Sequence, residues 1–309
     1  MILCAGLTPA WQQVMLFDAF RYGDVNRADE ALWCASGKVF NAGIAAHRLG
    51  GPSCTLAPVG GPPRAEIERE LGRMGVPYRW VVTQASTRVC TTILDRGSGA
   101  ITELVENGRP LSAGELEEFL RAYAEEASRA DVAVIIGSLP AGTPASFYRR
   151  LVERTPCPAI LDFRGEGLMA VLDLKPYLIK PNREELAQSV GRTLQCDAEL
   201  VEAMHALNHR GAAWVVVTQG SKPIWVTSSG GAWCVHPLPP DGLVNPIGCG
   251  DVMAAAIAWS IRAGRSVLEA VRLGVAAAAA NLRHPLPGRF DPAGIHDRAN
   301  QVRIEPIRP

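Results

Sequence analysis

The sequence predicts an α/β protein with a doubly wound, mainly parallel sheet, helices on both faces and a small β lid. Short apolar runs alternate with amphipathic segments of helical period from about residue 112 onward, which is typical of such sheets. The chain has 309 residues, 48% of them hydrophobic, so it can form one large domain of this class. Glycine and polar residues follow several predicted strands, at the sheet edge where such folds bind ligands.

Composition excludes several classes of function. Lys plus Arg and Asp plus Glu both total 31, and no basic stripe or run of like charges appears. This argues against nucleic-acid partners and membrane surfaces. Eight scattered cysteines without a Cys-x-x-Cys pair favour free thiols in a reducing compartment. The N-terminus lacks a basic leader, so a cytoplasmic location is expected.

The first third of the chain combines two kinds of segment. Strands of the main sheet are expected at 1–7, 53–59 and 79–83, and helices at 40–50 and 64–75. The segments at about 11–34 and 88–105 do not follow this alternation. They are expected to form a small sheet inserted as a lid in a single domain spanning 1–309.

The regular part begins with a helix at 112–127, where Ser112 and Glu115 have the spacing of a capping box. Further strands are expected at 132–136, 158–161, 177–179, 214–218, 223–228 and 231–236. Further helices are expected at 144–154, 183–190, 197–210, 250–263 and 267–283. The tail from about 284 is rich in Pro and Arg and is expected to be irregular.

Residues 244–263 carry the most informative motif. A loop containing Gly248 and Gly250 runs into Asp251 and a helix of small residues. Glycines let backbone N–H groups approach a ligand, and a helix start adds unpaired donors and a positive dipole end, so this is a candidate phosphate site. Asp251 beside it suits a general base that takes a proton from an attacking hydroxyl. An ordinary loop-to-helix turn with Asp as a cap is the alternative.

Three more loops follow predicted strands, at 137–142, 180–185 and 218–221. Each alone is also compatible with a simple turn and a helix cap. Together with 244–263 they place four polar loops at one edge of the sheet, which favours a binding site there.

In their order along the chain and in their sequence motifs, these loops resemble those of the PfkB (ribokinase-like) sugar kinase family. The resemblance covers nearly the whole chain. It rests on six segments, at 8–12, 23–28, 36–41, 137–142, 180–185 and 246–251. The resemblance implies a ribokinase-like fold and ATP-dependent phosphoryl transfer to a hydroxyl of a sugar phosphate, with Mg²⁺ as cofactor. It also implies a small-molecule acceptor and makes a homodimer through the lid plausible, since an exposed small sheet invites a partner.

The resemblance further implies roles for individual residues. Catalysis falls to Asp251 as the base and to the N–H groups of residues 248–251 as the anion hole, including those of Gly248, Cys249 and Gly250. Asn182 and Glu185 would organise magnesium through water. The implied nucleotide-binding residues are Asn182, Thr218, Gly220 and Asn281. The implied substrate-binding residues are Gln12, Gly37, Lys38, Asn41, Arg88, Ser138 and Arg27.

Lys38, Arg88 and Arg27 are the cations assigned to a phosphate already on the sugar. A solvated surface arginine is the alternative for Arg27. His205 and His209 stand at i, i+4, but no third metal ligand is near in sequence, so an exposed helical face is the preferred interpretation.

Departures from the family pattern affect the sugar-binding loops. Gln12 stands where the family has Asp, and Ser36 and Val39 replace glycines. Cys249 replaces Ala in the anion-hole loop. Two alternatives therefore stay open: a kinase for an unphosphorylated sugar or nucleoside, and a non-catalytic protein that binds a sugar or nucleotide.

Overall fold

The computed structural model describes residues 1–239 and 242–307, which form two sheets flanked by helices. Strands β1 to β14 lie at Ile2–Ala5, Ala10–Phe17, Glu30–Ser36, Ser53–Gly60, Tyr78–Thr83, Arg88–Asp95, Ile101–Val105, Val132–Ile136, Ala159–Asp162, Leu178–Ile179, Trp214–Gln219, Lys222–Ser228, Gly231–Val235 and Ile304–Ile307. Helices α1 to α10 lie at Lys38–Arg48, Pro63–Met74, Ala113–Ala127, Ser146–Val152, Glu166–Met169, Arg183–Val190, Asp197–His209, Cys249–Arg262, Val267–Asn281 and Ile295–Asn300.

The main sheet has ten strands in the order β14-β13-β12-β11-β10-β9-β8-β1-β4-β5. The pairs from β11 to β5 are parallel, and those from β11 to β14 are antiparallel. The predicted doubly wound, mainly parallel sheet is thus confirmed.

Both faces of this sheet are covered, as its central strand shows. All four residues of β1 are buried. Ile2 and Cys4 belong to one apolar cluster, with residues of α1, α8 and α9, whereas Leu3 and Ala5 belong to a second, with residues of α3, α4 and α7. Successive strand residues point to opposite faces, so an unbroken apolar run is what a strand between two helical layers requires.

The second sheet has four strands in the order β3-β2-β6-β7. Strand β2 pairs antiparallel with β3 and parallel with β6, and β6 pairs antiparallel with β7. It contains the segments expected at 11–34 and 88–105. We call it the lid sheet. Its strand β3 ends at Ser36, two residues before α1 begins.

The C-terminal prediction was wrong. The tail expected to be irregular contains α10 and β14, which extends the main sheet by pairing with β13. Pro306 lies within β14 opposite Trp233. Proline lacks an N–H donor but is tolerated in an edge strand, which has a neighbour on one side only, so its presence did not exclude a strand. Among the helices of the described residues, none is long and apolar enough to cross a membrane.

Candidate active site

Asp251 lies in the first turn of α8 and is only 5% exposed. Burial raises the pKa of its carboxyl to about 6, although Lys38 and a hydrogen bond from Asn41 both work to lower it. The Asn41 Nδ2–H donates to Asp251 Oδ2 at 2.8 Å, and Asn41 Oδ1 accepts from the Ser36 hydroxyl at 3.1 Å. A buried carboxyl with a pKa near neutrality, held in one orientation, is suited to accept a proton.

The start of α8 supplies backbone donors beside this carboxyl. Gly248 precedes the helix in the left-handed region, with φ 81°. The Cys249 N–H donates to the Pro246 carbonyl at 3.2 Å, whereas the described residues offer no acceptor to the N–H groups of Gly250 and Asp251. Because the orphan N–H groups of a helix start bind anions, these donors are candidates for the anion hole expected at residues 248–251. The Gly248 N–H likewise has no acceptor among the described residues, so of the four expected donors only that of Cys249 is already bonded.

A buried charge network faces the anion hole, and sequence reasoning did not assign two of its members. Asp162 ends β9 and is 1% exposed, and its carboxylate pairs with Lys180 at 2.9 Å and with Lys38 at 3.0 Å. Burial works to raise the pKa of Asp162, but Lys180 and Lys38 outweigh it and lower the pKa. A Cβ built on Gly250 would lie 3.4 Å from Lys180 Nζ, so a second cation stands beside the anion hole.

Asn182 and Glu185 form the capping box of α6. The Glu185 N–H donates to Asn182 Oδ1 at 2.8 Å, and the Asn182 N–H donates to Glu185 Oε2 at 2.9 Å. The other carboxylate oxygen of Glu185 lies 3.4 Å from Lys38 Nζ. The Asn182 and Glu185 pair therefore caps the start of α6, and it also directs the Glu185 carboxylate toward the buried charge network.

The residues predicted to bind nucleotide lie in three places. Thr218 is the penultimate residue of β11, where it forms an isolated bridge with Asn182, and Gly220 occupies the exposed turn that follows the strand. Asn281 is fully buried at the end of α9. Its amide donates to the Ile247 carbonyl at 3.0 Å and accepts from the Gly288 N–H at 2.8 Å. The structure thus uses Asn281 to hold the loop before α8.

A cleft of about 480 Å³ opens beside this network. Ser138, Lys38 and Arg88 line it together with Asp162 and Glu185. The cleft therefore brings substrate-binding candidates to the same edge of the sheet as the charge network.

Arg88 is largely committed within the protein. Its guanidinium donates to the Thr8, Pro9 and Glu106 carbonyls at 3.0, 3.3 and 3.0 Å, which ties the loop after β1 to the lid sheet. Arg27 lies exposed in the loop between β2 and β3, away from the residues that line the cleft.

Gln12 and Gly37 have local roles. Gln12 is 4% exposed, and its amide donates to the Thr92 hydroxyl within the lid sheet. Gly37 has φ 81°, and a Cβ there would lie 2.9 Å from the Thr8 carbonyl oxygen. The passage from the lid sheet to α1 therefore requires glycine.

Comparison with known proteins identifies the family of this chain. The sequence profile described as "pfkB family carbohydrate kinase" matches residues 2–293. The chain belongs to the PfkB family. It is 32% identical over 288 residues to the ATP-dependent 6-phosphofructokinase isozyme 2 of Mycobacterium tuberculosis (strain ATCC 25618 / H37Rv), covering 92% of this chain and 84% of that protein. It is 28% identical to the 1-phosphofructokinase of Escherichia coli (strain K12), covering 97% of each chain.

Solved structures of phosphofructokinases are also similar to this chain. This PfkB protein superposes on the tetrameric inhibited form of phosphofructokinase-2 from Escherichia coli with a TM-score of 0.86 and 26% identity, over 97% of each chain. Together with the family match, this supports the ribokinase-like fold and a carbohydrate kinase activity.

Two members of the PfkB site, Asp162 and Lys180, were not assigned from sequence. The signal for Asp162 is one carboxylate directly after the buried run Ala159–Leu161, at the carboxyl end of a strand. Lys180 begins the polar loop at 180–185, where the sequence motif assigns roles to Asn182 and Glu185 but none to the lysine. The pairing of Asp162 with Lys180 becomes evident only in the folded sheet, where strands that are distant in sequence lie side by side.

Proposed function

We propose that this protein transfers a phosphoryl group from ATP to a hydroxyl of a sugar phosphate. The observation that carries the proposal is the pairing of a buried acid with an anion hole. Asp251 is buried with a pKa of about 6, and the unpaired N–H groups of Gly250 and Asp251 stand with Lys180 at the start of α8.

The reaction follows from these positions. The acceptor hydroxyl attacks the terminal phosphorus of ATP in line, and Asp251 accepts the hydroxyl proton as the new P–O bond forms. The bond to the leaving ADP oxygen breaks in the same displacement. The negative charge on the transferred group faces the two N–H donors and Lys180, which stabilise it. The amide of Asn41 holds the Asp251 carboxylate in place.

Magnesium fits the donor set of this cleft as a water-bridged ion. Carboxylate and amide oxygens are its preferred protein ligands, and it retains several waters. Asp162 and Glu185 supply such oxygens near Lys38, and Asn182 Oδ1 lies at the start of α6, where it accepts from the Glu185 N–H. Within residues 1–239 and 242–307, no group of three or more His, Cys, Asp or Glu side chains is arranged as a metal cage. When bound, the ion neutralises nucleotide phosphate charge.

A phosphorylated acceptor is favoured over a neutral one. The relatives named above are phosphofructokinases, and the cleft contains several cations. Gln12 does not favour either acceptor. Its amide is directed to Thr92 and lacks the charge of the family aspartate that grips sugar hydroxyls, which favours the alternative of a non-catalytic binding protein.

The test is ATP consumption by the purified protein with magnesium, against a panel of sugars and sugar phosphates. We expect turnover on ketohexose phosphates. Lys38→Ala and Arg88→Ala should raise the KM for the acceptor by roughly 10–100-fold, because each removes a cation that lines the cleft. For Arg88 the loss also releases the Thr8, Pro9 and Glu106 carbonyls that its guanidinium holds. Arg96→Ala, at an exposed lid arginine that does not line the cleft, is the matched control.

Other outcomes would identify the alternatives. Turnover on neutral sugars or nucleosides alone, with KM unchanged in both variants, would replace the sugar phosphate with an unphosphorylated acceptor. ATP binding without turnover on any acceptor would identify a non-catalytic binding protein.

We also propose that the chain acts as one kinase domain and forms a homodimer through the lid sheet. Leu104 and Val105 of β7 are 55% and 56% exposed, and apolar side chains on an edge strand favour pairing with a partner. Val105→Asp should shift the sedimentation mass toward the 33.1 kDa of one chain. Val82→Asp, 50% exposed on β5 of the main sheet, is the control. A monomeric wild type would exclude the dimer.

A cytoplasmic location completes the proposal. All eight cysteines are free, which is consistent with a reducing compartment. Addition of a thiol reductant should leave both activity and thermal stability unchanged, whereas loss of either would contradict this assignment.

A further inference from the structure

The cations of the cleft differ in how much binding capacity they retain. Lys180 and Lys38 both pair with Asp162, and Lys38 also approaches Glu185. The guanidinium of Arg88 donates to three backbone carbonyls. Arg164, the remaining arginine that lines the cleft, makes one contact with the described residues, an ion pair with Glu185 Oε1 at 3.9 Å.

Arg164 has a fixed backbone and an exposed side chain. The preceding Phe163 is 3% exposed and stacks on Tyr148, with ring centroids 3.8 Å apart. The following Gly165 has φ 69°, and its N–H donates to the Ser189 hydroxyl at 2.8 Å. The Arg164 side chain itself is 59% exposed. Both neighbours are anchored, so the guanidinium enters the cleft from a rigid support, which lowers the entropic cost of binding.

The contact with Glu185 is weak enough to be exchanged. At 3.9 Å it is too long for a charge-assisted hydrogen bond, and the Arg164 side chain is 59% exposed, so solvent screens the attraction to the buried Glu185 carboxylate. Arginine presents five donors in a planar fork that matches phosphate oxygens bidentately. An anion entering the cleft therefore meets a cation whose donors are not yet committed.

We propose that Arg164 binds a phosphate group in the cleft and thereby determines which substrates this kinase accepts. The inference rests on the proposed function for the identity of the ligands. The group is either the phosphate already on the acceptor or the terminal phosphate of the nucleotide. The chemistry of recognition is the same in both cases, and the two sources are separable by experiment.

The experiment combines equilibrium binding with steady-state kinetics for Arg164→Gln, Arg164→Lys and the control Arg121→Gln. Arg121 is an exposed arginine of α3 that does not line the cleft. Calorimetry with inorganic pyrophosphate reports phosphate binding without turnover, so it remains informative even if the proposed function fails. Circular dichroism establishes that each variant folds.

We expect Arg164→Gln to weaken pyrophosphate binding by roughly 10–100-fold, the range for a charge-assisted pair. Arg164→Lys should recover part of this loss, because it keeps the charge but not the fork, and Arg121→Gln should match the wild type. A raised KM for the acceptor alone assigns Arg164 to the acceptor phosphate, and a raised KM for ATP alone assigns it to the nucleotide. Unchanged pyrophosphate affinity and unchanged KM values in a folded Arg164→Gln protein would overturn the proposal.

Discussion

Asp251→Asn should lower turnover by roughly 10²–10⁴-fold while ATP still binds, because the amide cannot accept the hydroxyl proton. The substitution is nearly isosteric, and the Asn41 donor can still bond to the amide oxygen. Single-turnover kinetics with a saturating acceptor, alongside calorimetric ATP binding, separates the loss of chemistry from a loss of nucleotide.

The pH profile sharpens this prediction. Burial raises the pKa of Asp251 to about 6, and the base works only when ionised, so wild-type kcat should fall as pH drops through about 6. Because the pKa of Asp251 is higher in the folded than in the unfolded protein, its ionisation destabilises the native state at pH values above the unfolded pKa.

Asp251→Asn should therefore keep or raise the melting temperature at neutral pH. Turnover unchanged in the variant would exclude Asp251 as the base, and Asp297→Asn, at an exposed residue of α10, is the control.

Gly248→Ala should reduce kcat by roughly 10²-fold or more, because it distorts the donors of the anion hole. Gly248 has φ 81°, and an added Cβ would lie 2.6 Å from the Cβ of Pro287 and 3.3 Å from Asn41 Nδ2. The backbone must therefore shift at the residue that precedes α8. We also expect a stability loss of roughly 1–3 kcal/mol, measured by urea unfolding.

A matched glycine separates backbone strain from damage to the site. Gly264 also has a positive φ, 76°, but a Cβ there meets nothing within 4 Å. Gly264→Ala should cost about 1–2 kcal/mol of stability and leave kcat unchanged. If Gly248→Ala behaved like Gly264→Ala in both measurements, the loop before α8 would not form the anion hole.

Local patterns predicted most of the fold. Ser112 and Glu115 form the capping box that their spacing indicated, and the apolar run 132–136 is the buried strand β8. Each of these two patterns involves residues that are close together in the sequence. The tail was missed because it is rich in Pro and Arg and its four strand residues Ile304–Ile307 carry no period-2 pattern, and β14 forms by pairing with the edge of β13.

The site was predicted less completely, because its contacts span large separations in sequence. Asp251 and the glycines beside it are contiguous and could be recognised. The bond from Asn41 to Asp251 crosses 210 residues, and the pairing of Lys38 with Asp162 crosses 124. The inward orientation of Asn281 could not be anticipated either, since it depends on carbonyl and N–H groups that the folded loops supply.

The single residue Gly37 between β3 and α1 has an evolutionary consequence. The residue before it, Ser36, ends a lid strand and bonds to Asn41, and Asn41 bonds to Asp251. A substitution that moves Ser36 therefore acts on the lid strand and, through Asn41, on the carboxylate proposed as the base. A change of the lid at this point that favours a new acceptor also reaches the group proposed to take the acceptor's proton.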